Sequence, residues 1–528
     1  MRVVLSMVIG ILAASCAFAA DPWAPSAHIP PLAKSTLDAT LYPIPQAQVA
    51  EYLTQLAGAR TYWTFAGKTL DLKAAAAADP NKMLTIGEGL AVDLGPEALF
   101  QAPFTDGNYQ VFLGAVTSVD ARELRLQVDL SALADDEELW LIDPVGQRPF
   151  GPYSRADHIA EGRWLPTVEG DTAVIMVRSQ RTDLPQVRVV MLSHFFIGVE
   201  ELKELSCNVS VACETNADVQ EVSSGVGMMV VPTSGGDSAL CSGTLINNPD
   251  TVDFEPYYIT ANHCVPGVAT AAQVDIIWDF RRASCGSTST PSLSSLPRSS
   301  GQSILATSDT FDCTLMQLDG VPVGTYGRTY VGWDASLPLI GDDCVVLHHP
   351  DGAYMRISYA DIIRTGTTTA SLGYIGQTEV QYPIGVTEGG SSGSALLSVK
   401  NDYAIIGTLS NGPYHTCGVD RSENTDKFSS FRRFYFGTAA RNYLEGSVVE
   451  PQCPSVEALK DNPKALASLR ETRDKVLVTS PAGRLFVQAY YFSAPTLADW
   501  VRRSGEFRQA FGAVASATAQ VAEYAFKK

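Results

Sequence analysis

The pattern of apolar and polar positions divides the chain into regions of different character. Between residues 21 and 206, apolar and polar residues alternate in several places, and the stretches 122–130 (RELRLQVDL) and 172–178 (TAVIMVR) are predicted to be strands. Residues 47–58 have the apolar spacing of a short helix, and a stretch rich in Pro and Gly at 143–153 predicts turns. We therefore expect this part of the chain to be rich in β-structure.

The pattern changes twice after residue 206. Up to about residue 446, short strands alternate with turns rich in Gly, Ser and Thr, as in an all-β barrel or sandwich. After Cys453, apolar residues recur at helical spacing in 456–478, 485–491 and 507–526. The predicted division is a leading segment 1–20, a β-rich domain 21–203, a second β domain 204–446 and a helical module 447–528.

The leading segment has the features of a signal peptide. Arg2 precedes an apolar run at 3–14, which is too short to span a membrane, and Ala17-Phe18-Ala19 supplies small residues for cleavage. Lipidation at Cys16 is the alternative, but the leucine usual in that motif is absent. No later stretch contains about 18 consecutive apolar residues. We expect a protein without a membrane span that is exported to the extracellular space, with the periplasm or the cell surface as alternatives.

Composition narrows the classes of function. Hydrophobic residues make up 45% and charged residues 18%, as in folded globular proteins. The chain has 38 Lys and Arg against 57 Asp and Glu, a net charge of −19, so it would repel nucleic acid and anionic lipid. We expect no nucleic-acid partner and a monomer that acts on protein or peptide substrates.

Cysteine usage agrees with export. Nine of the ten cysteines follow residue 206, and in an oxidising compartment disulfides are the default. No CxxC pair or cluster of four ligands suggests a metal site. An odd number of cysteines leaves one unpaired.

Three segments of the second β domain contain residues suited to catalysis. They are YYITANHC (257–264) with His263, FDCTLMQL (311–318) with Asp312, and EGGSSGSA (388–395) with Ser392. A serine hydroxyl becomes nucleophilic when an imidazole accepts its proton, and a carboxylate orients the imidazole. The order His, Asp, Ser, at separations of 49 and 80 residues, is that of trypsin-like double-barrel proteases, although Asp309 competes as the acid.

The glycines around the serine predict an oxyanion hole. They let the loop turn so that the N–H groups of Gly390 and Ser392 face the oxygen that becomes negative. Acyl transfer of this kind needs only a nucleophile, a base and these donors, so we expect no cofactor and no metal.

These motifs resemble the bacterial lysyl endopeptidases, which are trypsin-like serine proteases of the chymotrypsin fold. The matching stretches are ITANHC (259–264), CNVSVAC (207–213), CSGTLINN (241–248), HHP (348–350), GVTEGGSSGSA (385–395) and NGPYHTC (411–417). The resemblance implies a mainly β protein in which a double β-barrel catalytic domain follows a β-rich propeptide and precedes a small α-helical module. It also implies that Asp312, which directly precedes a strand, is the catalytic acid.

The resemblance further implies a set of disulfides. The family's pairs fall on Cys207–Cys417, Cys213–Cys285 and Cys241–Cys264. Cys313 and Cys344 have no counterpart in the family, and we expect them to form a fourth bridge, which leaves Cys453 unpaired.

Specificity for a basic side chain is implied by Asp426, nine positions after Cys417. The family pattern has a histidine where this chain has Ser410, and a tryptophan near Leu372 is also missing. The segment with Ser410 and Gly412, which we expect to contact substrate, therefore forms a different cleft wall. The choice between Lys and Arg stays open.

The resemblance also suggests activation by removal of the N-terminal region. Trypsin uses an aspartate before its nucleophile to bind the new amino terminus, but this chain has Ser391 there. A cut near Lys203 would separate 21–203 as a propeptide, although a permanent binding domain is the alternative.

The predicted function is that of a secreted serine endopeptidase that cuts after Lys or Arg. The alternatives are a noncatalytic adhesion or scaffold protein on a protease fold, and a protease with specificity for acidic or small residues, for which His415 would be the supporting feature.

Overall fold

The computed structural model describes residues 22–29, 41–56, 60–64, 81, 83–198, 204–248, 255–289, 291–319 and 327–444, with a few single positions between 459 and 516. Residues 24–444 form one compact unit, and residues 1–23 and 445–528 belong to a second. The predicted signal peptide, the cut at Lys203 and nearly all of the predicted C-terminal helices lie outside the described residues. They stay predictions.

Strands dominate the N-terminal region. They are β1 (Trp23–Ala24), β2 (Ala27–His28), β3 (Arg60–Thr64), β4 (Leu84–Leu94), β5 (Phe104–Asp106), β6 (Tyr109–Val119), β7 (Glu123–Asp129), β8 (Glu138–Asp143), β9 (Arg148–Tyr153), β10 (Arg163–Trp164), β11 (Val168–Glu169), β12 (Thr172–Ser179) and β13 (Arg188–Phe195). Two helices, α1 (Gln46–Thr54) and α2 (Pro96–Leu99), accompany them.

The structure agrees with three of the local predictions and corrects one. The predicted strands at 122–130 and 172–178 are β7 and β12, and the predicted helix at 47–58 is α1. The stretch at 143–153 was expected to be turns, yet only 144–147 turn, and β9 follows. A Pro within a strand is tolerated at a sheet edge, and β9 is the last strand of its sheet.

Two sheets of this region pack face to face, and we call them the N-terminal sandwich. One has the order β3-β6-β12-β8-β9 with β5 on β6, and the other has the order β10-β7-β13-β4 with β11 on β7. Their inner faces share a buried core that includes Phe112, Leu124, Leu126, Val177 and Leu192. The alternation of the sequence puts these side chains on one face of each strand.

The next strands close into barrel 1. The strands of the barrel are β15 (Val226–Pro232), β16 (Ser238–Leu245), β17 (Tyr257–Thr260), β18 (Asp275–Ile277), β19 (Arg298–Ser308) and β20 (Cys313–Leu318). The short strand β14 (Val209–Ser210) precedes them and lies outside the barrel. The order is β16-β15-β18-β19-β20-β17, and β17 pairs back onto β16. Met229, Tyr258 and Trp278 belong to its buried core. Helices α3 (Ala217–Ser223) and α4 (Val268–Ala271) lie between strands of this group.

A second closed sheet, barrel 2, follows. The remaining strands are β21 (Thr329–Tyr330), β22 (Trp333–Asp334), β23 (Asp343–His348), β24 (Arg356–Thr369), β25 (Tyr374–Ile384), β26 (Ala395–Ser398), β27 (Ala404–Asn411) and β28 (Thr425–Phe428). Barrel 2 has the order β27-β26-β23-β24-β25-β28, and β28 pairs with β27. Helices α5 (Phe431–Gly437) and α6 (Ala440–Leu444) follow. Two closed six-stranded barrels confirm the mainly β, double-barrel prediction.

The N-terminal sandwich and barrel 1 share one continuous sheet. Strand β4 runs antiparallel to β16, with Leu84 opposite Leu240 and Gly87 opposite Ser238. This pairing joins the sheets into eleven strands. Within the described residues, no helix is both long and apolar enough to cross a membrane.

The structure contains three of the four expected disulfides. Cys207–Cys417, Cys213–Cys285 and Cys241–Cys264 are bonded.

The expected bridge between Cys313 and Cys344 is wrong. Both are buried thiols, and they belong to different cores: Cys313 packs with residues such as Leu315, whereas Cys344 lies in the core of barrel 2. Burial raises the pKa of Cys313 to about 12. Two strands that face separate cores cannot bring their sulfur atoms together.

Candidate active site

His263 lies in the turn that follows β17, next to Cys264, which is tied to Cys241. Its Nδ1 atom is 3.0 and 2.9 Å from the two carboxylate oxygens of Asp312, and its backbone N–H donates to Oδ1 over 2.9 Å. Because a carboxylate faces Nδ1, that nitrogen carries the proton and Nε2 is the acceptor. This is the tautomer that a general base requires.

Asp312 directly precedes β20. It is 0% exposed and has a φ of +50°, a conformation that Asp tolerates better than most residues. Ser410 donates a hydrogen bond of 2.5 Å from Oγ to Oδ2 of Asp312. The competing acid, Asp309, is exposed, and its carboxylate accepts from the N–H of Thr310. The structure therefore places Asp312, and not Asp309, beside His263.

Glycines shape the loop that carries Ser392. Gly390 and Gly393 have φ values of +83° and +80°, which favour glycine. A Cβ on Gly393 would lie 2.1 Å from Oγ1 of Thr260, so this turn also packs tightly against barrel 1. The N–H of Ser242 donates to the carbonyl of Ser392 over 2.8 Å and fixes the loop against β16.

The amides expected to form the oxyanion hole are available. Within the described part of the chain, the N–H groups of Gly390 and Ser392 donate to no acceptor. The carbonyl of Gly390 accepts from Oγ of Ser242 over 2.9 Å, which fixes the peptide plane before Ser391. Backbone donors fixed in this way can stabilise an oxyanion without reorganising.

The hydroxyl of Ser392 bonds to a residue of the N-terminal region. Its Oγ donates to the backbone carbonyl of Asn81. A carbonyl carries no proton, so the single hydroxyl hydrogen of Ser392 points toward Asn81 and not toward His263. In this state the hydroxyl of Ser392 is engaged by the N-terminal region.

Asp426 lies on β28 and is 1% exposed. Its Oδ2 accepts from the hydroxyls of Tyr382, over 2.8 Å, and Thr387, and Nε2 of His415 lies 3.0 Å from Oδ1. Burial and then the negative charge of Asp426 raise the pKa of Tyr382 well above its usual range, so the phenol remains a donor. Thr387 precedes Ser392 by five residues, so the loop that carries Ser392 also contacts this carboxylate.

The structure gives Ser410 a contact that the sequence did not indicate. Besides donating to Asp312, its Oγ accepts from Nε2 of Gln377 over 3.0 Å, and Ser410 is 0% exposed. Ser410 therefore supports the carboxylate that orients His263. Gly412, also expected to contact substrate, directly follows β27 and is partly exposed.

Sequence reasoning missed how Ser391 and Glu388 hold the loop. Oγ of Ser391 lies 2.8 Å from Nδ1 of His348 and accepts from the N–H of Glu388 over 3.1 Å. The Glu388 carboxylate accepts from the N–H of Leu205, over 2.8 Å, and from Nδ2 of Asn208. The HHP motif was the available signal for the contact of Ser391. The contacts of Glu388 join residues 180 and 183 positions apart in the chain, so they left no local signal.

Burial and the nearby Asp351 raise the pKa of Glu388 to about 8. At neutral pH this carboxyl is therefore mostly protonated. Because its carboxyl is neutral, Glu388 repels the nearby Asp351 less.

One group of potential metal ligands occurs among the described residues, formed by Cys241, His263 and Cys264. The two sulfur atoms are bonded to each other, and a metal ligand must be a thiolate. The group does not fit a metal.

Comparisons with known proteins agree with this geometry. The family profile "Lysyl endopeptidase, C-terminal domain" matches residues 203–429. A lysyl endopeptidase from Pseudomonas aeruginosa is 30% identical over 329 residues, which cover 59% of this chain and 70% of that protein.

Two solved structures of an HtrA-type protease, AlgW, with a tripeptide are similar at 17% and, for a variant, 16% identity. Each alignment has a TM-score of 0.29 and covers 42% or 41% of this chain and 60% or 59% of the other. The identity and coverage shared with the curated relative decide the assignment: this chain belongs to the lysyl endopeptidase family of serine endopeptidases.

Proposed function

We propose that this protein is a secreted endopeptidase that hydrolyses peptide bonds after basic residues, with Lys preferred. Ser392 is the nucleophile, His263 the general base and acid, and Asp312 the residue that orients His263. The observation that carries the specificity is the buried carboxylate of Asp426, whose Oδ2 accepts from the side chain of Thr387, near the nucleophile.

The proposed reaction is acyl transfer through Ser392. Oγ of Ser392 attacks the scissile carbonyl carbon while its proton passes to Nε2 of His263. Asp312 stabilises the resulting imidazolium through Nδ1, and the N–H groups of Gly390 and Ser392 bind the oxyanion. His263 then gives the proton to the leaving amine as the C–N bond breaks. Water, deprotonated by His263, hydrolyses the acyl-enzyme and regenerates Ser392.

A buried carboxylate selects a cation because ion pairing offsets the cost of desolvating both charges. Asp426 has its charge fixed by two hydroxyl donors before any substrate binds. A neutral or acidic side chain at this position would bring no positive charge to pair with the carboxylate. The arrangement therefore favours basic residues over the acidic or small ones of the alternative prediction.

The contacts of Asp426 favour Lys over Arg. Both carboxylate oxygens have neighbours, since Tyr382 and Thr387 donate to Oδ2 and His415 lies beside Oδ1. A guanidinium binds best as a fork along an open carboxylate edge, whereas an ammonium needs a single point of approach.

Secretion and processing complete the proposal. The segment 1–20 acts as the signal peptide, and three disulfides suit an oxidising compartment. The region 21–203 acts as a propeptide that is released by a cut after Lys203, and 204–446 is the catalytic domain. Leu205 and Asn208, just after that point, are bonded to Glu388, so the new end is anchored beside the active site.

The test is digestion of a diverse peptide pool by the mature secreted protein, read by mass spectrometry. Ser392→Ala controls for other proteases, and Asp426→Asn tests the specificity. Asp420→Asn, an exposed acid six residues away, is the matched control. We expect cuts after Lys that vanish in Ser392→Ala and fall in kcat/KM by about 100-fold or more in Asp426→Asn, with Asp420→Asn unchanged.

Ser392-dependent cuts after other residues would overturn the specificity and leave the protease. Equal cutting after Lys by Asp426→Asn would show that another group recognises the substrate.

A further inference from the structure

A chain of hydrogen bonds links the carboxylate of Asp312 to a half-buried lysine of barrel 2. Ser410 donates to Oδ2 of Asp312 over 2.5 Å, and Nε2 of Gln377 donates to Oγ of Ser410 over 3.0 Å. Oγ1 of Thr369 donates to Oε1 of Gln377 over 2.8 Å, and Nζ of Lys427 donates to Oγ1 of Thr369 over 3.1 Å. We call the four donors of this chain the relay. They belong to β24, β25, β28 and β27, which are neighbours in barrel 2.

The central residue of the relay, Gln377, is buried at an irregularity in β25. Gln377 and Thr378 are 0% and 2% exposed, although successive side chains of a regular strand point to opposite faces. Gly376 has a φ of +71°, and the register with β24 shifts on both sides of Thr367, the partner of Gln377. A bulge of this kind re-aims a side chain. The amide of Gln377 therefore makes its bonds away from bulk water.

The two ends of the relay fix the direction of every bond in it. The ammonium of Lys427 can only donate, so Oγ1 of Thr369 accepts from it and turns its own hydrogen to Oε1 of Gln377. The NH2 group of Gln377 then faces Oγ of Ser410, which accepts from it. The single hydroxyl hydrogen of Ser410 goes to Asp312, whose carboxylate can only accept. A reversed bond anywhere would leave two donors or two acceptors facing each other.

This direction matters for the charge on Asp312. Hydrogen bonds that point the same way polarise one another, and they are stronger in the low dielectric of a protein interior. The relay therefore holds the hydrogen of Ser410 on Oδ2 and spreads part of the negative charge away from His263. On the other side, Oδ1 accepts from the N–H of His263 over 2.9 Å, so the carboxylate is fixed at both oxygens.

The relay is separate from the contacts of Asp426, although Lys427 is the next residue. Adjacent side chains on a strand point to opposite faces, and Asp426 accepts from Tyr382 on one face of β28 while Lys427 donates to Thr369. Lys427 lies opposite Glu379 on β25. A change at Lys427 can therefore be distinguished from a change in the specificity pocket.

We propose that Gln377, Thr369 and Lys427 are positioning residues that act on Asp312 through the hydroxyl of Ser410. This inference rests on the proposed function, because it adds to the roles of Asp312 and His263 in catalysis. It does not depend on which side chain Asp426 selects.

Loss of the relay has an expected sign in the pH profile. With weaker donation to Oδ2, Asp312 presents more negative charge to His263, and an imidazolium beside it holds its proton more firmly. The rise of kcat/KM with pH reports loss of the proton from the base of the free enzyme, so this rise should move to higher pH. A purely structural role would lower the amount of active protein without moving the profile.

The test measures steady-state kinetics of the mature protein on a peptide from the pool digest. An organophosphorus inhibitor titrates the active sites, so that kcat refers to folded enzyme only. Gln377→Met removes the amide at similar volume, and Lys427→Met removes the cation. Gln381→Met, on the same strand, and Lys400→Met, at an exposed lysine, are the matched controls.

We expect kcat to fall by about 10-fold in Gln377→Met and about 3-fold in Lys427→Met, with KM unchanged. The rise of kcat/KM should move up by roughly half a pH unit in Gln377→Met. Lys427→Arg keeps a donor-only cation and should restore most of the kcat lost in Lys427→Met. Both controls should match wild type.

A double variant decides whether these residues act through one chain of bonds. Without the amide of Gln377, Lys427 has no path to Ser410, so Gln377→Met with Lys427→Met should have the kcat of Gln377→Met alone. Losses that multiply in the double variant, or single variants whose pH profiles match wild type, would overturn the relay.

The proposed function can fail separately from the relay. If wild type cuts peptides in a Ser392-dependent way and both relay variants match their controls, the relay is wrong and the proposed function stands. If wild type makes no Ser392-dependent cut, both are overturned.

Discussion

The N-terminal sandwich and the two barrels both bury continuous apolar cores, yet covalent bonds stabilise only one of them. No cysteine occurs from residue 21 to residue 206, whereas three disulfides join segments of the barrels and their N-terminal arm. A disulfide stabilises by restricting the unfolded chain, so the barrels keep an advantage that the sandwich lacks. The two regions therefore differ in how much of their stability is covalent.

Buried arginines donate hydrogen bonds across the junction between the two regions. Arg125 is buried on β7 and donates to the carbonyls of Val230 and Gln273 in barrel 1. Arg148 donates to the carbonyls of Ser294 and Leu296 in the same way.

Under the proposed processing, water would replace such donors, as it does at separable interfaces. The apolar contact is concentrated at β4, which is the strand that enters the active site.

The largest expected effect tests whether Asp312, a residue of the barrels, is the catalytic acid. Replacing Asp312 by Asn removes the charge that fixes the His263 tautomer, so kcat on a Lys peptide should fall by about 10⁴-fold. Asp309→Asn, at the exposed competing acid, should leave kcat unchanged. Steady-state kinetics on mature protein measure both, and a loss in Asp309→Asn equal to that in Asp312→Asn would reverse the assignment of the acid.

The next effect tests the covalent contrast. Removing the Cys207–Cys417 bridge, which spans 210 residues, should lower the free energy of unfolding by roughly 5 kcal/mol in the chain-entropy relation. Removing Cys241–Cys264, which spans 23 residues, should cost roughly 3 kcal/mol.

Hydrogen exchange by mass spectrometry on Ser392→Ala protein locates these losses. Peptides of the barrels should lose protection while those of the sandwich keep it. Equal loss in both regions would mean that they unfold as one unit and that the covalent contrast has no consequence for stability.

A smaller effect tests the polar junction. Arg125→Met leaves carbonyls of Leu165, Val230 and Gln273 without their donor inside the protein. The full chain should lose about 3 kcal/mol of stability, because each buried unsatisfied group costs about 1–3 kcal/mol and water recovers part of it. Arg122→Met, three residues away and exposed, is the control. Denaturant unfolding in the Ser392→Ala background decides, and an equal loss in both variants would mean that the junction contacts contribute nothing specific.

The sequence predicted the parts of the site that depend on local motifs. His263, Asp312 and Ser392 stand in segments whose residue types are recognisable one by one and whose order fits a known arrangement. The three family disulfides followed from matched cysteines. Strand β7 followed from alternation of apolar and polar residues, and β12 from a short run of apolar residues, since both patterns are local and do not depend on the partner strand.

Contacts that depend on which strands meet in space could not be predicted. The bond from Ser410 to Asp312 joins residues 98 positions apart, and the one from Ser392 to Asn81 joins residues 311 apart. The alternation along β4 shows that it is a strand but not that β16 is its partner. The false bridge between Cys313 and Cys344 arose in the same way, because counting cysteines does not reveal which core each one faces.

The smallest expected effect concerns the anchor between the arm that follows the sandwich and the active-site loop. Glu388 is buried beside Asp351, and these two causes raise its pKa to about 8, from an ordinary value of 4.5. The folded chain therefore holds a proton that the unfolded chain has lost between these two values. Stability from this group is complete below the ordinary pKa and is lost as the pH rises through the folded one.

Glu388→Gln should remove this slope, because a neutral amide keeps an oxygen for the N–H of Leu205 and for Asn208 without ever acquiring a charge. In the Ser392→Ala background, we expect the parent to lose about 2 kcal/mol more than Glu388→Gln between about pH 6 and pH 7.5. Glu423→Gln, at an exposed site, should keep the parent's slope. Parallel slopes in all three proteins would mean that Glu388 is ionised in the folded chain at neutral pH. Two adjacent negative charges, on Glu388 and Asp351, would then lie beside the loop that carries Ser392. The hydrogen bonds from Leu205 and Asn208 would stabilise the charge on Glu388, so the arm that follows the sandwich would hold this loop in place.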